Sequence, residues 1–345
     1  LTMKNDNPLL QKYTLPPFDK IMVQHIEPAI DYMLDKNRKE LKDLIKNTKN
    51  YTWENFFQKI ENMEDRLQHV WSPVSHLHSV ADNNELRTAY NNCLTKLSNY
   101  STEIGQNINL FKAYDIFSKK SSFKNLSKSQ KKIINNAIRD FHLSGIDLNN
   151  DSKKIYKEIQ NKLSELQTKF EENLLDATHA WKKHITNKNE LSGIPDSVIA
   201  LASKTAKKEG KEGWLFTLEA PFYIPVMKYA DNSILRKEMY WAYTTRASEL
   251  GPNAGEFDNT KIMYDILKHR TKKSKLLGFK NYADYSLEKK MAKSTNDVLN
   301  FLTNLVQRTK KYAVNDVEEL KEFTYRVSNK KDLKAYDILY YSEKL

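Results

Sequence analysis

A chain of 345 residues is long enough for two domains or one substantial lobe, and its 39% hydrophobic content leaves no window near the roughly eighteen apolar residues that a membrane helix needs. The single cysteine, Cys93, excludes an intramolecular disulfide framework and any multi-cysteine zinc or iron–sulfur cage, which fits a reducing, cytoplasmic setting. The formal charge of +12 raises a nucleic-acid partner, but only nine of the 56 basic residues are Arg. The lysines of "KKSSFKNLSKSQKK" and "HRTKKSKLL" read as solvated faces rather than as a phosphate-binding stripe.

Eight glycines and nine prolines are few for this length, so few strand-to-strand turns are being built and the fold class is read as mainly α. After a "TLPPF" arm, apolar residues Ile26, Ala29, Ile30, Met33, Leu34, Leu41, Leu44 and Ile45 predict a long amphipathic helix. A second runs from "YTWEN" through Phe56, Ile60, Met63, Leu67 and Val70 and is expected to break near Pro73. A third carries Leu86, Tyr90, Cys93 and Leu97, which puts Cys93 on a buried stripe. From Asp151 or Ser152, residues Ile155, Ile159, Leu163, Leu166, Phe170, Leu174 and Trp181 predict one continuous face on a helix of about 45 Å.

Residues 186–212 are polar and mark a change of module. Beyond them "WLFTL" gives a minor β element near 214–218, followed by helix with Pro225 in its first turn. "KLLGFKNYADYSLEKKMAKS" predicts a helix stopped at Gly278, a short helix capped by Asn281, and a third opening at Ser294 with Asp297. Val298, Leu302, Leu305 and Val306 of that last helix are expected to face inward.

No chemistry is legible along this series. HExxH, GxGxxG, GxxxxGKS and GxSxG are all absent, and no two of the eight histidines lie three or four apart. His76 and His78, two apart, suit extended chain better than helix, and every histidine reads as structural or surface. Glu171 with Glu172 and Glu318 with Glu319 lie among lysines and read as solvated ion-pair formers. No catalytic residue and no metal ligand is assigned, and substrate-contacting residues cannot be named.

Eleven phrases in order are more informative: "NPLLQKYTLPPFDKI", "YTWENF", "SPVSHLHSV", "LSNYSTEIGQ", "AIRDFHLSGIDL", "KFEENLLDATHAW", "YIPVMKYADN", "YWAYTTRAS", "GPNAGEFDN", "LLGFKNYADYSLEKKMA" and "AYDILYYSEK". Together they closely resemble the thimet oligopeptidase-like family of zinc metallopeptidases over essentially the whole chain. The resemblance implies a mainly helical, neurolysin-like lobe with a channel, acting on short peptides in the cytoplasm. It implies an N-terminal helical domain over 1–190 and, over 191–345, the start of the metallopeptidase domain, ending before the zinc motif.

The resemblance also implies zinc in the complete family member, none on this chain, and a missing C-terminal half of the same polypeptide as partner. Neither nucleic acid nor membrane is expected. "AYDILYYSEKL" carries no stop signal, and "LTMKND" opens on Leu1 rather than Met, so the chain reads as the N-terminal half of such a peptidase, inactive alone. The alternatives are a non-catalytic helical remnant or peptide-binding scaffold and, more weakly, a basic nucleic-acid-associated protein.

Overall fold

The computed structural model describes residues 6–345, so the Leu1 start lies outside the described residues. These residues form fourteen α-helices and one two-stranded antiparallel sheet, a mainly α fold. In chain order the first helices are α1 (Val23–Asn47), α2 (Gln58–Val80), α3 (Asn84–Gly105), α4 (Ile108–Ser118), α5 (Ser121–Lys124), α6 (Lys128–Leu143) and α7 (Asn150–Ala180). Then come β1 (Lys182–Ile185), α8 (Asp196–Lys208), β2 (Trp214–Thr217), α9 (Ala220–Tyr229), α10 (Ser233–Thr244), α11 (Thr260–Leu276), α12 (Tyr282–Leu287), α13 (Thr295–Ser328) and α14 (Ile338–Lys344). The chain divides into two compact units, one running up to Thr168 and including Lys268–Tyr285, the other made of Lys169–Leu267 and Ser286–Leu345.

In the first unit the stripe expected on α1 is buried: Ile26, Ala29, Ile30 and Leu34 pack with Leu67, Val70 and Val74 of α2 and Leu86, Ala89 and Cys93 of α3. A second core is aromatic, with Phe57 in contact with Phe56, Tyr114 and Phe117 at ring separations of 4.6–5.1 Å. Its entry is a π-helical turn at Trp53–Phe57, where Thr52 Oγ1 accepts from Asn55 N at 3.1 Å and Asn55 Oδ1 accepts from Thr52 N at 2.9 Å. That reciprocal pair satisfies amide groups left without helical partners at the start of a helix.

Contrary to expectation, α2 continues through Pro73. The ring and Val74 are buried against neighbouring helices, and that packing offsets the one hydrogen bond that proline cannot donate. His76 and His78 are therefore helical residues, not parts of an extended segment.

In the second unit β2 lies where "WLFTL" places it, and it pairs with β1, whose sequence KKHI gives no apolar strand signal. β1 exists because β2 needs a ladder partner: His184 opposes Leu215 and Ile185, the one buried residue of the four, opposes Trp214. Gly213 precedes β2 at φ +84°, and a Cβ there would lie 2.4 Å from the carbonyl oxygen of Ile185. Pro225 sits inside α9 rather than in its first turn, which Pro221 occupies instead.

The punctuation near residue 280 is as the sequence predicts. Gly278 adopts φ +85°, and Phe279 N and Gly278 N donate to the carbonyls of Ser274 and Lys275 at 2.9 and 3.0 Å. Asn281 Oδ1 caps α12 through Asp284 N at 2.9 Å, and Ser294 Oγ caps α13 through Asp297 N at 3.1 Å.

One expectation fails along α13. Leu302, Leu305 and Val306 face solvent, at 49%, 46% and 58% exposure, and burial resumes only at Leu320 and Thr324. The amphipathic pattern has no complement among the elements that surround it, so the stripe stays bare.

Candidate functional site

The first unit contains a cavity of about 520 Å³ between α2, α3, α7 and the end of α11. Leu67 and Trp71 of α2 and Leu94 and Leu97 of α3 form an apolar wall. Glu64, Gln68, Ser98, Gln160, Arg270 and Lys273 supply a polar one. Glu64 Oε1 accepts from Gln68 Nε2 at 3.0 Å, the i, i+4 spacing of one helix face.

Arg270 and Lys273 are three apart on α11, so both project toward the same side, where Tyr282 and Tyr285 of α12 meet them. The Arg270 guanidinium stands 5.0 Å from the Tyr282 ring centre, and its buried Nε donates no hydrogen bond. The Lys273 ammonium, 8% exposed, lies 4.7 Å from the Tyr285 ring and 5.6 Å from that of Tyr156. Burial pushes the Tyr285 hydroxyl up to about 12 and that of Tyr156 further in the same direction, so both rings stay neutral. The arrangement can hold a ligand with an apolar body and an acceptor group, and it pairs no nucleophile with a base. From the sequence "HRTKKSKLL" reads only as a lysine-rich surface. The signal that would have separated Arg270 and Lys273 is their three-residue spacing facing tyrosines also three apart.

The histidines are dispersed in structural roles. His25 Nδ1 accepts from Met22 N at 3.0 Å at the start of α1. His69 stacks on Tyr13 at 3.8 Å, which fastens the N-terminal arm to α2. His78 is buried and stacks on Tyr90 at 3.9 Å, His142 Nδ1 lies 2.5 Å from Asp147, and His184 Nε2 lies 2.6 Å from the Glu212 carbonyl. Glu172 departs from the sequence reading, because it is 4% exposed rather than solvated. Cys93 is fully buried and desolvation pushes its thiol up to about 12, which leaves no thiolate for nucleophilic work.

The most strongly desolvated ion pair among the described residues is structural. Arg236 Nη2 meets Asp337 Oδ1 at 2.5 Å, both residues being 1% exposed, and Nη1 of the same guanidinium donates to the Ala230 carbonyl at 2.5 Å. Its guanidinium also lies 4.0 Å from the Tyr340 ring, so one side chain ties α10 to the start and body of α14.

Residues 30–154 match the Neurolysin/Thimet oligopeptidase N-terminal domain, and residues 226–345 match Peptidase family M3. The chain is 45% identical over 342 residues to the oligopeptidase A of Haemophilus influenzae, covering 99% of this chain and 50% of that protein. The chain belongs to the thimet oligopeptidase-like peptidases, family M3. Oligopeptidase A of Escherichia coli is 44% identical over 98% of the chain, and the probable cytosolic oligopeptidase A of Arabidopsis thaliana 35% over 99%.

The chain spans about half the length of these curated relatives. Among the described residues no group of three or more His, Cys, Asp or Glu could hold a metal ion, so the zinc that the M3 resemblance implies does not fit any donor set described here. No helix among them is long and apolar enough to cross a membrane.

Proposed function

We propose that this chain is the N-terminal half of a cytoplasmic zinc-dependent oligopeptidase that hydrolyses short peptides, and that the polypeptide following it in the complete enzyme supplies the zinc ligands and the general base. The observation that carries the reading is the 45% identity to an oligopeptidase A along 99% of the chain with coverage of only 50% of that relative. The match of residues 30–154 to an N-terminal domain supports the order of the halves. The single buried cysteine and the word cytosolic in one relative's name support the compartment.

Were zinc held by the polypeptide that completes the enzyme, it would supply Lewis-acid chemistry for peptide hydrolysis, and none of the residues described here would be its ligands. The part proposed for this chain is steric: its helices frame the approach to the site.

The test joins the 345-residue chain at Leu345 to the uncovered half of Haemophilus influenzae oligopeptidase A and follows hydrolysis of a quenched short peptide. Turnover that a zinc chelator abolishes and added zinc restores is the expected result. A folded fusion that binds the peptide and never cleaves it overturns the peptidase reading in favour of a non-catalytic scaffold.

A further inference from the structure

The bare face of α13 is the largest departure from ordinary burial in the second unit. Projected at about 100° per residue, Val298, Leu302, Leu305, Val306, Ala313 and Val317 fall within an arc of about 120°, and they run for about 30 Å along the helix. Gln307 and Lys311 occupy the far side.

The same arc continues into Leu320 and Phe323, where it is covered: Leu320 packs with Phe323, Leu333, Tyr340 and Tyr341. The stripe is therefore one surface with an occupied end and an open end. Thr309 and Asp316 lie in the same arc, and the exposed Leu and Val side chains on either side of them still form a strip long enough to mark an interaction site rather than scattered surface leucines.

We infer that this open face is the seat of a helix from the polypeptide that completes the enzyme, the half that the relatives carry and this chain does not; the inference rests on the function proposed above. Three observations favour that occupant. The curated relatives are about twice as long, so a body of comparable size exists to cover the face. The covered end is sealed by α14, the element nearest Leu345, so the open end continues an interface already begun by the C-terminal part of this chain. From Val298 the stripe places apolar residues at i+4, i+7 and i+8, the spacing at which one helix packs along the face of another.

Cysteine accessibility tests this without relying on a disruptive substitution. Leu305→Cys places a thiol on the open face and Gln307→Cys one on the far side, and native Cys93 stays silent because it is buried. In the 345-residue chain alone both thiols are expected to react with a maleimide at comparable rates. In the chain joined to the uncovered half of the Haemophilus influenzae enzyme, the Leu305→Cys thiol is expected to react at least about tenfold more slowly while Gln307→Cys is unchanged.

Equal reactivity of the two in a folded fusion overturns the inference. So does protection of Leu305→Cys in the chain alone that grows with concentration, which assigns the face to a second copy. If the fusion does not fold, the halves are coexpressed as separate chains. Copurification with the same protection then supports the seat, and failure to copurify overturns it. A protected Leu305→Cys in a polypeptide without peptidase activity leaves the docking face standing and removes the functional reading; an active polypeptide with both thiols equally reactive does the reverse.

Discussion

Helices α1 and α13 carry the same kind of message in their sequences and meet opposite fates. Both are long, both are amphipathic, and both place Leu, Ile or Val at spacings of three and four. On α1 the stripe is enclosed, with Ile26, Ala29 and Ile30 at 0% exposure between α2 and α3, and only its end at Leu44 and Ile45 is half-buried. On α13 an equivalent stripe is open to solvent until Leu320. An apolar periodicity specifies that a helix has a face to bury, and nothing in the helix itself states which chain will bury it.

The sharpest way to break this comparison is at the anchor that keeps the covered end of α13 covered. Asp337→Ala leaves the Arg236 guanidinium buried without its carboxylate, and it should cost about 3–5 kcal/mol in urea unfolding of the chain. Asp337→Asn, which keeps a hydrogen-bond acceptor, should cost less. A loss of under 1 kcal/mol for Asp337→Ala would show that α14 is held by other contacts.

Next in size is the stripe itself. Leu34→Ala on α1 removes a side chain 2% exposed and should cost about 2–5 kcal/mol, and Leu320→Ala, covered on one side by the tyrosines of α14, about 2 kcal/mol. Leu302→Ala on the open face should stay within about 0.5 kcal/mol by the same measurement. In the fusion with the second half the Leu302→Ala cost should rise to that of a core leucine, and an unchanged value would remove the distinction between the two helices' roles.

The smallest effect is a pH dependence. Hydrogen bonds from the Tyr340 hydroxyl at 2.6 Å and the Ser192 hydroxyl at 2.7 Å hold the Asp231 carboxyl below the usual carboxylate range. A carboxyl depressed in the folded state contributes stability that is present above its unfolded value near 3.8 and is lost as pH falls through the folded value. Thermal melting of the chain should therefore weaken below about pH 4 more steeply than melting of Asp231→Asn, and parallel curves would contradict the assignment.

Much of this architecture was readable in advance, and the exceptions have physical causes. Gly278, Asn281 and Ser294 announce their roles because a left-handed stop and a side-chain cap are satisfied within a few residues. Pro73 misleads because its local cost is outweighed by the burial of its neighbours, which no local pattern records. The strand KKHI is invisible for the same reason, since its existence depends on β2, whose paired residues lie 29 to 35 positions further along the chain.

In the cavity, Arg270 and Lys273 are hidden by composition: in a chain with 56 basic residues, two that turn inward look like the rest. The Arg236 and Asp337 pair, 101 residues apart, has no local signature at all. For chemistry the sequence carried a family resemblance and no constellation, and the described residues supply a framework of helices in which histidines stack, cap and pair singly.

The measurement that bears most directly on this division of labour is hydrolysis of a quenched short peptide by the purified 345-residue chain, with and without a zinc chelator. The account predicts a rate equal to that of buffer and no stoichiometric zinc on the protein. Chelator-sensitive turnover by the chain alone would contradict it, because it would require a metal site and a general base within these 345 residues.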